Sequence, residues 1–61
     1  MIVRVFKLST MEMWTLKNKV MLANFIYQEM NVVVSSKWTV SRLVQYIPTD
    51  DYHVILPIER R

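Results

Sequence analysis

Glycine is missing from all 61 residues, and so is cysteine. Average usage of ~7% would place about four glycines in a chain this long. Their absence excludes glycine-built phosphate cradles, dinucleotide fingerprints and nucleophile elbows, since each needs a backbone without a Cβ at its tightest point. Without cysteine there is neither a disulfide nor a thiolate nucleophile, and a single histidine does not build a zinc site of the usual kind. A chain this short, with no staple and no metal, lies near the lower limit for burying enough surface to fold alone. Association with another chain is the expected remedy, and no cofactor is expected.

Long hydrophobic runs are scarce as well. VMLANFIY is interrupted by Asn24, and the N-terminal MIVRVFKL by Arg4 and Lys7. Neither reads as a membrane span or a secretory h-region, so the expectation is one domain over residues 1–61, cytoplasmic, with no membrane partner. The chain is nevertheless 52% hydrophobic, with a net charge of +3. That charge permits a nucleic-acid or acidic-protein partner without arguing for either.

Residues 2–8, IVRVFKL, are β-branched and aromatic, which favours a strand. Ser9 precedes Glu12 by three residues, the spacing of a capping box, and predicts a helix that starts there and runs to Met30. Asn31 is the left-handed terminator in a chain that has no glycine. Leu16, Val20, Ala23, Tyr27 and Met30 form one stripe at helical spacing, assigned to the sheet. Trp14, Met21 and Phe25 form a second stripe, with Leu22 and Ile26 on a third sector. A small sheet cannot cover all three, so another chain is expected on the second.

Val32–Val34 read as a short buried strand or an extended connector. Residues 36–47 fit two templates. As a helix capped by Ser36, they align Val40, Leu43, Val44 and Ile47 on one face before Pro48 stops them. As a strand, they would lead into a PTDD hairpin loop. Residues 52–58, YHVILPI, alternate as a strand, and Pro57 confines it to an edge or ends it there. The ERR that follows reads as a solvated tail. The expected fold is α+β, a single small domain with one long helix on a small sheet, in the order strand, helix, strand and then either helix and strand or two strands.

The one cluster with catalytic potential is Asp50, Asp51 and His53. Neighbours on an extended chain point to opposite sides, so adjacency gives no shared site, and the aspartates are read as shaping a turn. No catalytic or metal-binding residue is expected and the chain is read as non-enzymatic. TVSRLV, residues 39–44, resembles the recognition helices of helix-turn-helix repressors. The strand ending KLS followed by helices is similar to ribbon-helix-helix dimers. Either resemblance implies a dimeric DNA-binding regulator with Lys7, Lys37 and Arg42 as contacts, and Trp38 is a candidate for stacking on a base.

Trp14, Met21 and Phe25 point instead to protein contact, because aromatics and methionine are enriched at interface centres. The favoured expectation is a small binding protein of this second kind. It would pair with a copy of itself or act as an inhibitor or accessory subunit of a larger protein, a size that suits a viral, phage or mobile-element origin.

Overall fold

A computed structural model describes residues 1–57. Its five elements are β1 (Val3–Lys7), β2 (Glu12–Leu16), α1 (Lys19–Met30), α2 (Val40–Val44) and β3 (Tyr52–Ile55). The strands form one antiparallel sheet in the order β2-β1-β3. The fold is α+β, as expected, but the long helix is shorter than the sequence pattern indicates, at 12 residues.

The first half of that expected helix is a strand. Ser9 does not cap a helix: its amide and hydroxyl donate to the Asp51 carboxylate at 2.9 and 2.7 Å. Glu12 accepts from the Thr10 hydroxyl at 2.7 Å. The chain therefore turns at residues 8–11 and returns as β2, with Met11 in the left-handed region at φ 61°. The helix begins after Asn18, whose side chain accepts from the Met21 amide at 2.9 Å. It ends as anticipated at Asn31, at φ 57° and ψ 37°, with the Asn31 amide donating to the Tyr27 carbonyl.

Moving the helix start reassigns its faces. Leu22, Phe25 and Ile26 are buried, at i, i+3 and i+4 spacing, with Met30 packed beside them. Val20 and Tyr27, assigned above to the sheet, are 58% and 49% exposed. The third sector is thus the core face, because it carries the bulkiest branched side chains within the true helix limits.

Val32 and Val34 pack against the core while Val33 is exposed, the alternation of an extended connector rather than a strand. The ambiguous segment is a one-turn helix. Thr39, not Ser36, is its cap, accepting from the Arg42 amide at 3.2 Å. Leu43 and Ile47 bury the helical face identified from spacing. β3 is an edge strand that stops at Ile55, short of the expected 52–58, with Leu56 and Pro57 outside it; Ile58 and the ERR tail lie outside the described residues.

The core comprises Val3 and Val5 from β1, Leu16 from β2, three α1 residues, Leu43, Ile47 and Tyr52. All of it lies on one side of the sheet. Strand alternation therefore leaves Arg4 and Phe6 of β1 on the opposite face, which no other element among the described residues covers. No helix among the described residues is long and apolar enough to cross a membrane.

Candidate functional site

Trp14, Met21 and Phe25 come together, though not on one helix. Trp14 reaches across from β2 and sets its ring 4.9 Å from that of Phe25, edge to face. Tyr52 closes the cluster, its ring centre 6.1 Å from Phe25 and 6.5 Å from Trp14. The three predicted residues, with Leu16, Asn24, Gln28 and Glu29, line a shallow groove of about 300 Å³ between β2 and α1. Phe25 is only 5% exposed and forms the floor. Trp14 is half-buried and Met21 exposed, so these two present the accessible surface.

Lys7 stands at the end of the same sheet face, its Nζ 3.9 Å from Glu29 Oε1 and 5.6 Å from the Tyr52 ring centre. The Tyr52 hydroxyl also donates to Glu29 Oε1 at 3.4 Å. Tyr52 is the main influence holding the Lys7 ammonium above its ordinary value, with Glu29 and Glu12 adding to it and burial opposing. Lys7 is thus engaged within the chain.

Two of the other proposed nucleic-acid contacts, Arg42 and Trp38, are similarly occupied. The Arg42 guanidinium lies 3.9 Å from the centre of the Trp38 ring, and Tyr46 stacks on that ring at 5.8 Å with an interplanar angle of 26°. The indole already has an arginine and a phenol as stacking partners, which leaves it poorly placed to receive a base. The Lys37 amide donates to Ser35 Oγ at 3.1 Å, and residue 37 is exposed. β1 is the central strand, with β2 and β3 on its two edges, so it has no edge free for the strand pairing of a ribbon-helix-helix dimer. α2 spans 5 residues, little more than one turn.

The Asp50, Asp51 and His53 cluster does not converge. Asp51 is committed to Ser9, and His53 is exposed in β3, opposite Phe6. Among the described residues no group of three metal-ligating side chains forms.

The sheet's outer face was not singled out by sequence, because β2 was read as helix. Register places two rows across it: Thr15, Arg4 and Ile55, then Met13, Phe6 and His53. Met13 is 62% exposed, and Ile2 and Ile55 are also open to solvent. At one end Met1, Ile2, Arg4, Ile55, Leu56 and Pro57 line a concavity of about 480 Å³. Compared with family models, curated proteins and solved structures, the chain matches none.

Proposed function

We propose that this protein is a small non-enzymatic binding protein that acts by protein–protein contact, with a copy of itself or as an inhibitor or accessory subunit of a larger protein. The observation that carries the reading is the uncovered sheet face, where Ile2, Met13 and Ile55 are exposed around a half-buried Phe6. In a two-layer fold a sheet buries its apolar face against another element, and the described residues supply such an element on one side only. The groove of Trp14, Met21 and Phe25 offers a second apolar contact region.

The test places a photo-crosslinking residue at Met13, at Met21 or, as a control, at the exposed Ser41, in cells that make the protein. A discrete protein adduct from Met13 or Met21 and none from Ser41 supports the reading. A chain that sediments as a monomer at all concentrations and yields no discrete adduct from either position refutes it. The alternative of a dimeric DNA-binding regulator requires an affinity for duplex DNA that falls steeply with salt and is lost on charge reversal at Arg42. The engagement of Lys7 and Arg42 within the chain favours protein contact over it.

A further inference from the structure

The chemistry of the outer face narrows the partner, given the contact reading above. Its cation is Arg4, exposed beside the equally exposed His53 imidazole. No carboxylate shares that face within the strands: Glu12 pairs with Lys7 on the core side, and Asp50 and Asp51 precede β3. Among the described residues Arg4 has no ion-pair partner, since the single pair found is Lys7 with Glu29. The surface is thus apolar with unopposed positive charge near its centre, and complementarity calls for an apolar partner bearing carboxylates.

Strands of about five residues at ~3.4 Å, three of them ~4.8 Å apart, give a platform of about 17 by 14 Å. Charge argues against a second copy. Face-to-face pairing would set Arg4, near the centre of the face, against a second Arg4 with no carboxylate between them. The exposed side of a second α1 is no better: its first turn has no acid, and Glu29 is held by Lys7 and Tyr52. A single helix, ~10 Å across and ~1.5 Å per residue, fits the platform with about three turns, just as α1 covers the opposite face.

We propose that the outer face of the sheet docks an acidic amphipathic helix of another protein. Ile2, Phe6, Met13 and Ile55 receive its apolar stripe, and Arg4 pairs with the carboxylates that flank it.

The probe is a synthetic helical peptide of about four turns, with a leucine stripe flanked by glutamates, titrated into the full chain and followed by amide chemical shifts and calorimetry. Its twin carries lysine for every glutamate, and vesicles of equal phosphatidylserine and phosphatidylcholine form a third arm. The expected result is saturable binding of the acidic peptide, with shifts concentrated at Arg4, Met13, His53 and Ile55. The lysine twin should bind at least about tenfold more weakly, as should Arg4→Glu with the acidic peptide. Arg4→Gln, which removes charge without reversing it, should fall between, and circular dichroism checks that both variants fold.

Equal binding of the twin, shifts confined to the Trp14 groove, or binding to vesicles but not peptide overturns the proposal. So does binding that appears only after residues 58–61 are removed. Failure of the peptide together with self-association lost in Met13→Glu overturns the acidic-helix inference and leaves protein contact standing. Failure of the peptide with a monomeric chain and no crosslinked adduct overturns both.

Discussion

Replacing Met11 by glycine should stabilise this protein, although it introduces the residue its sequence avoids. Met11 occupies the β1–β2 turn at φ 61°, where an L-residue's Cβ crowds its own carbonyl at a cost of about 1–2 kcal/mol. Glycine escapes that penalty but loses about 0.4–1 kcal/mol through the greater freedom of the unfolded chain. The side chain is 73% exposed, so its removal forfeits little burial. The mid-range difference favours Met11→Gly by about 0.8 kcal/mol. In a domain of this size that raises the thermal midpoint by about 2–8 °C. Far-UV circular dichroism during heating, paired with urea titration, measures it. Met11→Ala keeps the Cβ at the same dihedral and should gain nothing. Asn31→Gly should gain less than Met11→Gly, since asparagine tolerates the left-handed region. A Met11→Gly midpoint at or below that of the parent, with Met11→Ala indistinguishable from it, would refute the reasoning.

Three further outcomes are expected. Asn18→Ala removes the acceptor for the Met21 amide and should cost about 1 kcal/mol with helical signal lost first; an unchanged urea midpoint would remove Asn18 as the cap. Leu43 is fully buried where α2 meets the core, so Leu43→Ala should cost about 2–5 kcal/mol and lower the melting midpoint by about 10 °C or more. A drop of only a degree or two would mean that α2 is not packed there. Because Lys7 is held above its ordinary value of 10.5, its favourable charge interaction is fully present below that pH and is lost as pH rises through the folded value. Unfolding midpoints across the alkaline range should therefore decline less steeply in Lys7→Met, and an identical decline would show that the Lys7 contacts with Tyr52 and Glu29 are not formed.

Legibility in the sequence followed the strength of local signals. β1 announced itself through Val3, Val5 and Phe6, β3 through alternation ending near Pro57, and the helix end through Asn31. α2 was visible in the spacing of Val40, Leu43, Val44 and Ile47, although its cap was misplaced by three residues. β2 was hidden for two reasons. Ser9 and Glu12 imitate a capping box while bonding elsewhere, to Asp51 and Thr10, and the tight turn before β2 uses methionine rather than a recognisable turn residue. Hence the outer sheet face could not be foreseen, since it exists only if Met13 and Thr15 belong to a strand. Trp14, Met21 and Phe25 do share a groove, but Trp14 arrives from the sheet, a tertiary contact that helical periodicity could not reveal.

The strand order also has a consequence for biosynthesis. β1 leaves the ribosome before β3, which fills one of its flanks. Until residues 52–55 emerge, the nascent polypeptide holds a hairpin whose inner strand has a row of unsatisfied amides and carbonyls, and its interior lacks the Tyr52 ring. Such an open flank templates pairing with other chains, and closure between strands so far apart in the chain is entropically slow. Premature termination before Tyr52 should therefore yield an aggregating species rather than a smaller folded one.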